Sequence, residues 1–587
     1  MWAIYVGEYL AAALFGVLIL ERCNMGGTGS VITWLAAYPG LFFLALVICA
    51  SLYCFIRAFF RKPVWPFAIY GSLVCLMGTA NFFKLFYRTE PLVPYDLFNV
   101  GPAFAIAGNM SMRLTRGLVF NLVFFVLCLL GLWVLFILVY PPAPPRRWWR
   151  FALMLLLPAL CLYSLTDVHR LALFGAEDIR YDQYYNYQIN GFIVSTLMNL
   201  GDSRVQSPRV YNYDEVAALR EAIEEARNPL PLGSPKGQPH IIVLQMEAYA
   251  DPRRIDPRVA YALDPFSPLA PYESKIQRFH TLVSTIGGGT SNTEYEFLTG
   301  FNLFYCPMGV TPFIQYMNQP RPSLASALTE QGYTSVAVHP HIGRFYNRDA
   351  VFPKLGFQRF VTEEEFVGAE HIGLYISDDT FGGKIVEIFE EERANGPVFI
   401  YGISIQNHGP YFDPDVRREY PVELNGGLTL TDAQITELET FGANLYDSSV
   451  MLANMIQYLS TVDEPILLLV YGDHQAAWLW AMDGPGTPDV ELNRYSTESF
   501  YWANYPLANE HRPVVGASVL GTQLMRKAGL PLPLYNKGID LQSRELMAYN
   551  VAITVENDGS LRYATRERLE AYLLLQYDRM FGKNYLE

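Results

Sequence analysis

The sequence predicts an α-helical transmembrane domain of five spans followed by an α/β domain with a central, mostly parallel sheet flanked by helices. Three observations carry that expectation. Long apolar stretches crowd the chain before residue 175, short continuous apolar runs alternate with helical segments after residue 240, and "PLPLGSPKGQP" (229–239), rich in Pro and Gly, separates the two patterns. The 587 residues exceed one ordinary domain, and a content of 51% hydrophobic and 14% aromatic residues is high for a chain without a membrane part. The expected division is 1–175 for the transmembrane domain, 176–236 for a connector with interfacial helices, and 237–587 for an outer domain with a C-terminal subdomain.

Four stretches are long enough to cross a bilayer: 2–20, 31–56, 64–83 and 117–140. The last three contain no Asp, Glu, Lys or Arg, which argues against buried helices of a soluble protein. A fifth, "FALMLLLPALCLYSLT" (151–166), is shorter and contains Pro158. The first stretch lacks the basic n-region and small-residue cleavage site of a signal peptide. Two short basic loops set the orientation, one with Arg57, Arg61 and Lys62 and one with Arg146, Arg147 and Arg150. Basic loops stay inside, so five spans leave everything after residue 175 on the extracytoplasmic side of the cell membrane. Glu8, inside the first span, is a charge that needs a partner.

A net charge of −14 argues against nucleic acid as a partner. Six of the seven cysteines precede residue 162, so Cys306 stands alone in the outer portion and no disulfide can form there. A domain of this size builds its core without one.

Within the connector, "YDQYYNYQINGFIVSTLMNL" (181–200) suits a helix at the lipid headgroups or one packed on the catalytic domain, and "DEVAALREAIEEARN" (214–228) has helical spacing. Beyond it, "HIIVLQM", "YTSVAVH", "PVFIYGISI" and "PILLLVYGD" are apolar without alternation, as strands covered on both faces are. "RPSLASALTEQG" and "TFGGKIVEIFEEERANG" read as helices between them. In open sheets of this order, sites gather beyond the carboxyl ends of the strands.

The residues just beyond each run are therefore informative. Glu247 stands after the first; His339, with His341, after the second; Asn407 and His408 after the third; Asp473 and His474 after the fourth. Four of the nine histidines occupy these positions. Any one of them alone reads as a structural hydrogen-bonding group. Together, Glu, Asp and His with one hydroxyl oxygen suit a divalent-metal shell of Mn²⁺, Mg²⁺ or Zn²⁺.

"STIGGGTSNTEYEFLTG" (284–300) supplies the hydroxyl. Three consecutive glycines imply a close backbone approach just before Thr290. A threonine is a poor nucleophile until a base or metal takes its proton. If Thr290 opens a helix, the free N–H groups there favour a phosphate. The Ser291–Glu294 spacing also fits a capping box, and the plainer reading is an N-cap after a flexible loop.

In these residues the chain resembles the lipoteichoic acid synthases and related membrane phosphoglycerol transferases of the alkaline phosphatase/sulfatase superfamily. The resemblance covers the spans, the connector, the outer domain and the tail "YLLLQYDRMFGKNY" (572–585). "TSNTEYEF" is similar to the family's nucleophile motif and "YGDH" to its metal motif. It implies Thr290 as nucleophile and Glu247, Thr290, Asp473 and His474 as the shell of one divalent cation, Mn²⁺ before Mg²⁺ or Zn²⁺. "HPHIGRFYNRD" and "NHGPY" imply that His339, Arg348 and His408 bind the headgroup, with Tyr346 where the family usually has Trp. Gly289 stands where the family commonly has lysine.

The implied activity is transfer of glycerol phosphate from phosphatidylglycerol, by way of Thr290, to a hydroxyl of a glycerol-phosphate polymer or a glycan, at the surface of membrane lipids. Two alternatives stay open: phosphoethanolamine transfer, whose enzymes usually carry ectodomain disulfides, and a metal-dependent phosphatase or sulfatase-type hydrolase. "CPMGV" at Cys306 does not supply the C-x-P-x-R context of a sulfatase nucleophile.

Overall fold

The computed structural model describes residues 2–88, 91–94, 96, 116–138, 148–165, 168–177, 183–201, 205–307, 309–411, 421–478, 488–510 and 512–586. The chain forms two compact units, one of residues 1–204 with 307–310 and one of 205–306 with 311–587.

The first unit is helical. The segments read as spans form helices at Trp2–Asn24, Pro39–Arg57, Val64–Arg88, Arg116–Leu138 and Trp148–Ser164. The expected single stretch 31–56 is two helices, because Pro39 opens the second and leaves Tyr38 non-helical at φ −127°, ψ 61°. Proline disfavours the helical conformation in the residue before it. Among the described residues two helices are long and apolar enough to cross a bilayer, Pro39–Arg57 and Val64–Leu85, with mean hydropathies of 2.3 and 1.3. Arg146, Arg147 and Asp167 lie outside the described residues. Glu8 has its partner: its Oε1 accepts from Tyr53 Oη at 2.6 Å and from Arg57 Nε at 2.8 Å.

Helices Gln183–Ile189 and Phe192–Gly201 also pack into this unit. Tyr187, Phe192 and Val194 are fully buried among Val17, Leu41 and Ala45. The Trp34 indole donates to Ile189 O at 2.7 Å, and Phe192 N donates to Glu21 Oε2 at 3.0 Å.

The second unit is built on an eight-stranded sheet. In chain order its strands are β1 (His240–Met246), β2 (Ile276–Leu282), β3 (Thr334–Val338), β4 (Arg359–Val361), β5 (Val398–Ile403), β6 (Ile466–Gly472), β7 (Ser496–Ala503) and β8 (Val514–Gly516). Their spatial order is β8-β2-β7-β6-β1-β5-β3-β4. The four apolar runs are β1, β3, β5 and β6, neighbours that pair in parallel, so their carboxyl ends share one edge. The antiparallel strands β2 and β7 carry polar residues along much of their length, and β7 is apolar only over Phe500–Ala503, so sequence pattern alone does not mark them.

Helices Asp378–Glu392 and Asp432–Leu459 bury apolar stripes against the sheet, with Phe381, Ile385, Leu445 and Leu452 in its core. Both have side-chain N-caps, Ser377 and Thr431. A three-stranded sheet over 546–563 and the helix Arg566–Met580 complete the unit.

Candidate active site

The ends of β1 and β6 are laced together. Asp473 N donates to Met246 O at 3.2 Å, and Asp473 Oδ1 accepts from the backbone N–H of both Ala248 and His474, each at 2.8 Å. Ala248 takes a left-handed φ of 46°, rare for a residue with a Cβ, which turns its N–H toward Asp473. Gly472 is required on β6, since a Cβ there would lie 2.3 Å from Tyr249 O.

This lacing places Glu247, Asp473 and His474 with one donor atom of each within 4.8 Å of the others, all buried. His474 Nε2 is 3.4 Å from Glu247 Oε1 and 3.3 Å from Asp473 Oδ2. The opposite ring atom, Nδ1, faces the Gln475 carbonyl at 3.0 Å. A carbonyl only accepts, so the proton sits on Nδ1 and Nε2 turns a lone pair toward the carboxylates.

His474 Nε2 and Asp473 Oδ2 are buried without a hydrogen-bond partner. Three ligand atoms within 4.8 Å of one another, two of them without a hydrogen-bond partner, fit a divalent cation. Burial, then the neighbouring Asp473 carboxylate, pushes the Glu247 carboxyl well above the usual range. A bound cation relieves that repulsion.

Thr290 is the first residue of helix Thr290–Thr299. The preceding glycines have φ of 69°, 149° and 83°, all in the region that excludes most side chains, which is why three are needed. They deliver Thr290 Oγ1 to 3.5 Å from Glu247 Oε2, at the outer limit of a hydrogen bond. The helix is pinned in place by Thr293 Oγ1, which donates to Asp473 O at 2.7 Å.

The expected Ser291–Glu294 capping box does not form. The helix is entered through a left-handed Gly289 with no side-chain cap. Glu294 instead clasps Arg348, taking Nε at 3.1 Å with each carboxylate oxygen and Nη2 at 2.5 Å. Both side chains are buried, and Arg348 Nη1 is left without a hydrogen-bond partner. Tyr346 lies with its ring 5.2 Å from the Arg348 guanidinium carbon. Tyr346 and Asn347 take φ of 55° and 63°, a tight turn that carries the chain into Arg348.

His339 Nδ1 faces Ile403 O at 3.0 Å, and its Nε2 is buried without a partner. Burial and then the Arg348 charge hold the His339 imidazole well below its ordinary pKa, so it is neutral. His408 contacts Tyr375 Oη at 3.0 Å, and Tyr375 Oη also donates to Gly409 O at 3.2 Å. The Tyr375 ring stacks edge-on between His341 and His408, at 6.2 and 5.3 Å.

The structure thus draws Glu247, Thr290, Asp473 and His474 into one cluster and sets Tyr346, with Glu294, around Arg348. Glu294 carries a signal that points to helix capping and not to Arg348. Tyr375 lies on a short hairpin over 371–376 that nothing in the sequence singles out.

Residues 239–516 match the family model described as Sulfatase, and the second unit carries a sulfatase-family domain. The chain is 28% identical over 425 residues, 69% of its length and 64% of the relative's, to a "Putative cyclic beta-1,2-glucan modification protein" of Rhizobium meliloti. It is 24% identical to a lipoteichoic acid synthase of Staphylococcus saprophyticus over 32% of this chain and 28% of that one. The chain therefore spans less than two thirds of the curated relatives it matches. Its fold is similar to that of the Streptococcus pyogenes phosphoglycerol transferase GacH, solved with sn-glycerol-1-phosphate, at a TM-score of 0.53 and 21% identity over 65% of this chain and 97% of that one.

Proposed function

From a sulfatase-family domain whose helix-opening threonine faces a cation-fitting cluster, we propose that this chain is a phosphoglycerol transferase. It moves glycerol phosphate from phosphatidylglycerol to an acceptor hydroxyl. The observation that carries the reading is the 3.5 Å approach of Thr290 Oγ1 to the Glu247 carboxylate within a buried set of bare ligand atoms.

Thr290 Oγ1 attacks the phosphorus, a new Oγ1–P bond forms, and the bond from phosphorus to the diacylglycerol oxygen breaks. The proton lost by Thr290 ends on that oxygen, with His408 assigned to its transfer. In the second half the acceptor hydroxyl attacks the same phosphorus and the Oγ1–P bond breaks, returning the proton to Thr290. A divalent cation, Mn²⁺ before Mg²⁺ or Zn²⁺, held by Glu247, Asp473 and His474 would neutralise charge developing on the phosphoryl and threonine oxygens.

Headgroup choice rests on two buried polar atoms. His339 Nε2 offers a lone pair and Arg348 Nη1 a donor. A hydroxyl can serve either atom, donating to the imidazole or accepting from the guanidinium, whereas an ammonium has no lone pair for Arg348 Nη1. That favours glycerol over ethanolamine. Cys306, the one cysteine of the outer portion, is buried and unpaired, which supports the same choice. The Rhizobium meliloti relative is named for modification of a glucan, which favours a glycan acceptor over a glycerol-phosphate polymer. The N-terminal helices, read as five spans with basic loops inside, hold the domain on the extracytoplasmic side and raise the effective concentration of lipid donor.

Intact-mass analysis of the purified chain after exposure to phosphatidylglycerol and Mn²⁺ tests the reading. A glycerol-phosphate adduct mapped to Thr290 is expected. A phosphoethanolamine adduct from the corresponding lipid would shift the assignment, and steady release of free phosphate with no adduct would make the protein a hydrolase.

A further inference from the structure

A polar pillar runs through the otherwise apolar centre of the sheet beneath Thr290. Gln245 on β1, Tyr401 on β5 and Tyr471 on β6 are each fully buried. Gln245 pairs with Tyr471 across the β1–β6 register, and Tyr401 pairs with Val243, two residues earlier on β1. All three side chains therefore lie on one face. Both phenols donate to Gln245 Oε1 at 2.8 Å. With phenol protons on its oxygen, the amide can have only one orientation, and Nε2 points to the Thr290 carbonyl at 3.2 Å. Phe297, two turns along the same helix, packs on both phenol rings at 5.5 and 5.2 Å.

A buried amide and two buried phenols lose hydration that three apolar side chains at 245, 401 and 471 would not, so packing alone gives no reason for this polar set. The full set of partners around Gln245 gives one: an amide fixed by two phenols is a rigid donor aimed at the backbone of the nucleophile.

We propose that Gln245 is a positioning residue. By donating to Thr290 O it sets the first turn of the helix, and with it the direction of Oγ1 toward the Glu247–Asp473–His474 cluster. This rests on the reading of Thr290 as the nucleophile.

The test uses the full chain with phosphatidylglycerol and Mn²⁺, following Thr290 adduct formation by quench and mass. Gln245→Leu is expected to lower both the thermal midpoint, because the phenols lose their shared acceptor and keep only each other at 3.1 Å, and the saturating adduct rate, by about tenfold or more. Half-saturation by lipid should stay within about twofold. Adding Tyr401→Phe and Tyr471→Phe removes the hydroxyls that have lost their shared acceptor, so the triple variant should regain its thermal midpoint while the rate stays low. A triple variant that recovers both, or a Gln245→Leu chain at full rate, overturns the proposal.

Where Gln245→Leu does not fold, the triple variant is compared with Tyr401→Phe/Tyr471→Phe, which keeps the amide. A slow triple beside a faster double supports the pillar, and equal rates overturn it. No adduct in the unsubstituted chain overturns the covalent reading and this proposal with it. An adduct there, formed equally fast in every variant, overturns this proposal alone.

Discussion

Within the helical unit, most buried polar side chains close on one another, while Glu21 Oε1 and Asn199 Oδ1 stay without a partner. Glu8 is held by Tyr53 and Arg57, Asn24 donates to Tyr187 O at 2.6 Å, and Asn190 donates to Asn186 Oδ1 at 2.8 Å. Glu21 accepts the first N–H of helix Phe192–Gly201, where a carboxylate complements the helix dipole. At the carboxyl edge of the α/β sheet the unpartnered atoms belong to the candidate site itself. Asp473 Oδ2, His474 Nε2, His339 Nε2 and Arg348 Nη1 are all buried without hydrogen-bond partners. A buried polar atom left unpaired costs about 1–3 kcal/mol. Four in one neighbourhood are a standing cost that a cation and a phosphoryl headgroup would remove. The first region uses burial of polar groups to hold helices together, and the second uses it to stay ready for a ligand.

Four substitutions break or sharpen that contrast. Thr290→Ala should abolish lipid turnover, by about 10³-fold or more, as loss of an attacking atom does. The metal content of the purified chain, read by elemental analysis, should be unchanged, since three ligands remain. Glu294→Gln uncouples a buried ion pair and should cost about 3–5 kcal/mol of stability, because the Arg348 charge is left without its partner. Chemical denaturation at neutral pH would read this, and a loss under about 1 kcal/mol would mean the clasp is not formed.

Glu296 sharpens the contrast through pH. Its Oε1 accepts from Ser284 Oγ and Leu303 N, each at 2.8 Å, and burial pushes its carboxyl from 4.5 to about 7. Between those values the folded chain binds a proton that the unfolded chain has lost, so this group's contribution is full below about 4.5 and declines as pH rises toward 7. Glu296→Gln should remove that decline, flattening the thermal midpoint across the window. An unchanged slope would show that Glu296 is already ionised. The smallest effect is expected in the helical unit. Glu21→Ala removes a cap and should lower stability by about 0.5–2 kcal/mol. Turnover per folded molecule should stay within about twofold; a collapse of turnover would give that unit a part in the chemistry.

Much of this was legible in the chain itself. The runs at β1, β3, β5 and β6 are apolar throughout because both faces of a central parallel strand are covered, and such runs cannot be mistaken for amphipathic helices. The residue after each run was visible for the same reason, since a polar group at the end of a buried strand breaks the pattern. The glycine triplet before Thr290 was legible because no other residue tolerates three successive left-handed positions.

The partnerships between distant side chains were not legible. Glu294 looked like a helix cap, and only the packing of the turn at Tyr346 and Asn347 brings Arg348 to it. Tyr375 meets His408 through a hairpin with no local signal, and Gln245 reads as a flaw in an apolar strand until two phenols from neighbouring strands reach its amide. Local sequence determines which elements form and where they end, because backbone propensity and burial act over a few residues. Which unpaired atoms face one another is decided by sheet order and register, which bring together residues as far apart as Glu247 and Asp473 and are settled by the whole core at once.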